Sequence, residues 1–111
     1  MKLPGAERAI VAPEKVRDYL LSAVNPRSRG KAAFFNALGF RAADWQVLQS
    51  VLLEVALNHE TLPGRRSDFG TKYEIRATIA GPAQRQAVIN TVWIIDAGDD
   101  RPRFVTAYPD Q

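Results

Sequence analysis

Cysteine is absent from the chain and histidine occurs once, which removes disulfide frameworks, thiolate nucleophiles and cysteine-based zinc sites. No metal site and no cofactor are implied. No apolar run approaches the roughly 18 residues of a membrane-spanning helix. The amino terminus, Met1-Lys2-Leu3-Pro4-Gly5, lacks the long apolar segment of a secretory signal. These absences predict a soluble, cytoplasmic chain without membrane contact. Acidic residues are also missing between Tyr19 and Ala43, a stretch that carries Arg27, Arg29, Lys31 and Arg41. The net charge of +3 therefore conceals a local basic patch.

With 111 residues, 46% of them hydrophobic and 24% charged, the composition is that of a globular protein able to bury one core without staples. No repeat and no linker-like segment divides it, so residues 1–111 are expected to form one domain. Val16, Tyr19, Leu20, Ala23 and Val24 keep the spacing of an amphipathic helix opened by Pro13, predicting a helix from about Pro13 to Val24. Asn25-Pro26 ends it, because the residue before proline avoids the helical region, and Ser28 or Arg29 leads into a second helix from about Gly30 to Leu38. Gly39 reads as its left-handed cap. A third helix, about Ala42 to Asn58, is apolar around much of its circumference and is expected to be largely buried.

Beyond the polar loop from Thr61 to Gly70 the hydrophobic period falls from 3.6 to 2. Tyr73, Ile75, Ala77 and Ile79 alternate with Lys72, Glu74, Arg76 and Thr78, a half-buried strand. Gln86 to Asp96 is apolar on both faces, as a central strand would be. Arg103 to Tyr108 completes a meander, and Arg8 to Val11 is a candidate edge strand. The expected architecture is α+β, with three N-terminal helices packed on one face of a three- to four-stranded antiparallel sheet.

Chemistry concentrates between Asn25 and Gly39. Arg27, Arg29 and Lys31 sit at a helix start, where free backbone N–H groups attract anions and repel cations, so an external anion such as phosphate is expected there. Gly30-Lys31 lacks the glycine spacing and hydroxyl of a nucleotide-hydrolysing loop. Phe34, Phe35 and Leu38 share a helix face with Lys31, which places Lys31 at the rim of the core. His59 is either an acid/base group or a cation complementing the end of the third helix. Thr106 and Tyr108 share one strand face, with Arg103 on the other unless a bulge intervenes. Asp99-Asp100 suits a turn better than a cation site.

Lys15, Tyr19-Leu20-Leu21, Asn25-Pro26, Gly30-Lys31-Ala32, Phe35, Leu38-Gly39, Gly70, Tyr73, Trp93 and Arg103-Phe104-Val105-Thr106-Ala107-Tyr108 together resemble, over nearly the whole chain, an uncharacterised bacterial domain family. Its members are free-standing or form the C-terminal tips of polymorphic toxins. The layout is also similar to the ribonuclease toxin fold of barnase, the RelE-like interferases and colicin-type tRNases. That resemblance implies a toxin-like domain cleaving RNA phosphodiesters without metal, as an endoribonuclease, with RNA and a small cognate antitoxin or immunity protein as partners. It assigns catalysis to His59, Lys31 and Tyr108, and phosphate or RNA binding to Arg27, Arg29, Thr106 and Arg103. It also implies a histidine beside the proline ahead of Gly30-Lys31, where this chain carries Asn25. The alternative is a non-catalytic, antitoxin-like partner-binding module or a nucleic-acid-binding module.

Overall fold

The computed structural model describes residues 1–27 and 29–110, with the side chain of Arg29 outside the description. Among the described residues, three helices precede a four-stranded antiparallel sheet in the order β1-β2-β3-β4, an α+β arrangement. Helix α1 (Pro13–Lys15) runs on into a π-helical turn (Val16–Leu20); α2 is Arg29–Ala37 and α3 is Trp45–Asn58. The strands are β1 (Arg65–Ser67), β2 (Gly70–Ala80), β3 (Gln86–Asp96) and β4 (Pro102–Pro109). No helix among the described residues is long and apolar enough to cross a membrane.

Strict alternation builds the inner sheet face. Tyr73, Ile75, Ala77 and Ile79 of β2 pair across to the odd-numbered residues of β3, and Ile89, Thr91 and Trp93 are fully buried. Leu48, Leu52, Val55 and Ala56, at successive turns of α3, close the other side of the same core. Trp93 and Phe104 meet edge to face at 5.4 Å. Burying each such side chain contributes about 1.5–3 kcal/mol.

The first helix differs from its sequence reading. It ends at Leu20 rather than Val24, because the N–H of Leu21 donates to the carbonyl of Val16, five residues back, at 2.9 Å. That wider turn buries Leu20 and Leu21 together and leaves Val24 87% exposed. The third helix is less buried than its composition implies, with Val47 and Leu57 facing outward. Strand β1 lies within the expected loop: its three residues are all exposed, and only pairing with Gly70–Lys72 makes them a strand. The expected N-terminal edge strand reduces to one parallel bridge, Ile10 to Arg103, which covers part of the free edge of β4.

Helix α2 is fixed at both ends of its apolar face. Phe35 is fully buried and Leu38 nearly so. Gly39 takes the left-handed conformation (φ 101°) that terminates the helix, and the N–H of Ala83 in the β2–β3 turn donates to the carbonyl of Leu38 at 3.0 Å. Gly81 lies against that same carbonyl, where no side chain would fit.

In the core, Trp93 Nε1 donates to Thr91 Oγ1 at 2.8 Å, and Thr91 Oγ1 donates to the carbonyl of Ile75 at 3.0 Å. Thr91→Val keeps the shape but orphans the indole N–H. We expect it to lower unfolding free energy by about 1–3 kcal/mol, measured by urea denaturation; an unchanged midpoint would show that the pair contributes no net stability.

Candidate functional site

Because Phe35 and Leu38 turn inward and Phe34 packs edge-on against Phe35 at 5.1 Å, Lys31 emerges half-buried at the rim of the core. Its ammonium donates to the Tyr19 phenol oxygen at 2.6 Å and to Thr106 Oγ1 at 3.0 Å. The two hydroxyls are themselves 3.2 Å apart. One cation and two hydroxyls thus converge from α2, the π-helical turn and β4. No carboxylate forms an ion pair with Lys31 among the described residues.

Thr106 reaches this point through a bulge. Val92 pairs with Thr106 while Trp93 pairs with Phe104, so Val105 is the extra residue. Phe104 and Ala107 therefore both face the core, and Thr106 and Tyr108 face outward. Arg103, opposite Ile94, lies on that same outer face, which realises the exception noted for a bulged strand.

Burial pushes the Tyr19 phenol upward, but hydrogen bonds from Lys31 and Thr106, together with the charges of Lys31 and Lys15, outweigh it and hold the group below the ordinary phenol range. Lys15 lies 5.7 Å from the ring centroid, within cation–π reach. The 5.0 Å separation of Lys31 from that centroid follows from its bond to the hydroxyl and adds no separate attraction.

The remaining candidates divide. Arg27 is exposed, and its backbone N–H donates to Asn25 Oδ1 at 3.0 Å, while Asn25 Nδ2 donates to the carbonyl of Asp18 at 3.3 Å. Asn25 therefore closes the turn between the first two helices. Arg29 opens α2, but its side chain lies outside the described residues, as does Ser28. Arg103 is held bidentately by Asp96 at 2.7 and 3.1 Å, so its charge is already answered. Tyr108, half-buried, lies opposite Asn90 on the outer face.

His59 follows α3 and, with Arg76, Ala77, Thr78 and Val88, lines a separate cavity of about 360 Å³. Its Nδ1 is buried without a hydrogen-bond partner among the described residues. The chain beyond it runs along β2, where Leu62 N–H donates to the carbonyl of Glu74, and β3 separates β2 from β4. The structure therefore brings together Lys31 and Thr106 but not His59. Tyr19, the third member, reads in the sequence as one apolar position of a helix stripe. Its signal was the polar tip that a half-buried tyrosine must place somewhere.

The family model described as "Domain of unknown function (DUF6883)" matches residues 2–111, and the chain belongs to that family. No curated protein matches it. Among solved structures, the fold is similar to that of a chain in the contact-dependent growth inhibition toxin–immunity protein complex from Klebsiella pneumoniae 342. That similarity has a TM-score of 0.72 at 19% identity, covering 91% of this chain and 99% of the other.

Since the folded Tyr19 phenol ionises below its unfolded value, its ionised form stabilises the fold only at alkaline pH. The contribution is complete above the unfolded phenol value and is lost as pH falls through the folded one. Replacing Lys31 by methionine removes the dominant cation, so Lys31→Met is expected to move the Tyr19 titration upward. The Cζ chemical shift of Tyr19 against pH reads this directly, and an unmoved titration would dismiss the coupling.

Proposed function

We propose that this family member is a toxin-type domain that cleaves RNA, with the Lys31–Tyr19–Thr106 cluster gripping the scissile phosphate. The observation that carries the reading is the Lys31 ammonium, held at the sheet edge by two hydroxyls and paired with no carboxylate among the described residues. Such a cation has its geometry set and its charge unanswered, which suits an incoming phosphate. The fold likeness to a chain of a toxin–immunity complex supports the same class. A cognate immunity-type protein is the partner this reading calls for.

In metal-independent RNA cleavage the 2′-oxygen attacks phosphorus and its proton passes to a base. The bond to the 5′-oxygen then breaks as that oxygen is protonated, leaving a 2′,3′-cyclic phosphate and a 5′-hydroxyl. Lys31 neutralises the charge of the pentacoordinate phosphorane, Thr106 orients a phosphate oxygen, and Tyr19, with its ionisation eased by two lysines, relays the proton. Arg27, exposed on the turn ahead of α2, adds positive field. Tyr108, two residues from Thr106 on the same face, is placed to meet a ribose.

A second reading, a non-catalytic module that binds a protein partner, is favoured by the position of His59. The single imidazole of the chain faces another cavity, so the cluster holds none.

Incubation of the purified protein with total RNA in chelator separates the two. The wild type is expected to yield fragments ending in 2′,3′-cyclic phosphate, with Lys31→Ala slowing cleavage by about 100-fold or more and Tyr19→Phe also impairing it. Intact RNA at high excess of wild-type protein would sink the nuclease reading. Stable capture of the product of an adjacent gene in that case would establish the binding module.

A further inference from the structure

The outer sheet face carries a second feature beyond the Lys31 cluster. Lys72, Ile94 and Arg103 form one cross-strand row, and Glu74, Val92 and Thr106 form the next. Between the β2 side of these rows and the chain entering β1 lies a cavity of about 480 Å³. That volume falls in the range that holds small organic ligands. Leu62, Pro63 and Ile94 supply an apolar lining, and Arg65, Arg66 and Lys72 supply cations.

The state of the charges is informative. Elsewhere on this face the protein neutralises its arginines: Arg103 is tied to Asp96, and Arg76 pairs with Asp110 at 2.8 Å. Arg65, Arg66 and Lys72 enter no ion pair among the described residues. Three unanswered cations beside an apolar lining match a ligand that is anionic at one end and flat and apolar at the other. Glu74, the only carboxylate lining the cavity among the described residues, repels a purely anionic occupant and accepts hydrogen bonds from amino or hydroxyl groups.

We infer that this cavity holds one nucleotide of a single-stranded RNA, another phosphate of which lies at Lys31 a few nucleotides along, an assignment that rests on the RNA reading above. The base lies over Ile94, Leu62 and Pro63, and its phosphate meets Arg65 and Arg66. Both sites open on one face, and Arg65 and Arg66 on β1 lie three strand spacings from β4, about 14 Å, a gap that a few nucleotides of extended strand bridge. The cavity thus selects what flanks the cleaved bond, while the Lys31 cluster acts on the bond itself.

The test uses a fluorescent 2′-O-methyl oligoribonucleotide of eight residues, which has no free 2′-hydroxyl and is not cleaved, with the wild-type chain. Arg65→Ala/Arg66→Ala should weaken binding about tenfold and reduce the slope of log affinity against log salt by about 0.7, the one phosphate that both arginines meet on a single strand. Arg41→Ala/Arg85→Ala, an exposed pair outside this cavity and matched in charge, should stay within twofold. Both doubles should melt at the wild-type temperature.

Equal weakening by both doubles would overturn the assignment, as would displacement of the oligonucleotide by octaglutamate as effective as by unlabelled oligonucleotide, since either shows attraction to charge alone. The same proteins are assayed on total RNA. Cleavage by the wild type with binding unaffected by Arg65→Ala/Arg66→Ala discards the cavity and leaves the nuclease reading standing. Cavity-dependent binding without cleavage does the reverse.

Discussion

One extra residue in β4 sets the geometry on which the site depends. A strand alternates faces with a period of two, so if Phe104 packs on Trp93 inside the core, Thr106 and Tyr108 would also point inward and Ala107 outward. The bulge at Val105 reverses that parity. Ala107, small enough to sit fully buried beside Thr91, goes inside, and the two hydroxyl-bearing residues go out. An unbulged β4 would place Thr106 in the core and leave Lys31 without one of its two anchors.

The other anchor depends on a second irregularity of the same kind. In the π-helical turn a fifth residue enters the hydrogen-bonded ring, and Tyr19 stands half-buried between two buried leucine positions and the edge of β4. Lys31 comes from a helix whose register is fixed by Phe35 and Leu38 and whose end is pinned to the β2–β3 turn. Two local departures from regular structure thus converge on one regular helix. Each departure costs backbone regularity, and each is stabilised by the apolar side chains it allows inside: Leu20 and Leu21 at the first, Phe104 and Ala107 at the second.

This explains which features could be read in the sequence. Strands β2 and β3 were legible because long alternating or doubly apolar runs leave no other register, and α2 was legible because Phe35, Leu38 and Gly39 agree on its face and end. Lys31 followed as a rim residue. The end of the first helix was not legible, since Ala23 and Val24 continue a 3.6-residue period that the π turn interrupts, and nothing in their composition marks them as exposed. Strand β1 was hidden because Arg65-Arg66-Ser67 has no hydrophobic alternation and owes its conformation to its neighbour. Tyr19 reads in the sequence as a core position whose polar tip needs a partner, but which partner is not legible, because those partners lie 12 and 87 positions away. His59 drew attention as the single histidine, but a residue's scarcity does not determine which strand it packs against.

The distribution of charge then separates the parts of the outer face. Arg76 and Arg103 are exposed arginines on the sheet, and each is matched with an aspartate at hydrogen-bonding distance. Lys31, Arg65, Arg66 and Lys72 are not so matched among the described residues. Exposed ion pairs add little stability, so pairing Arg103 with Asp96 does more to remove a competing cation from the face than to hold the fold together. What remains positive is the sheet edge at Lys31 and the cavity beside β1, with Val92 and Ile94 forming an apolar bridge between them. An anionic chain that also carries flat apolar groups meets unpaired cations at both ends of that bridge, with Glu74 the carboxylate at its cavity end and Arg103 already neutralised by Asp96, so the face orients such a chain across the strands rather than along them.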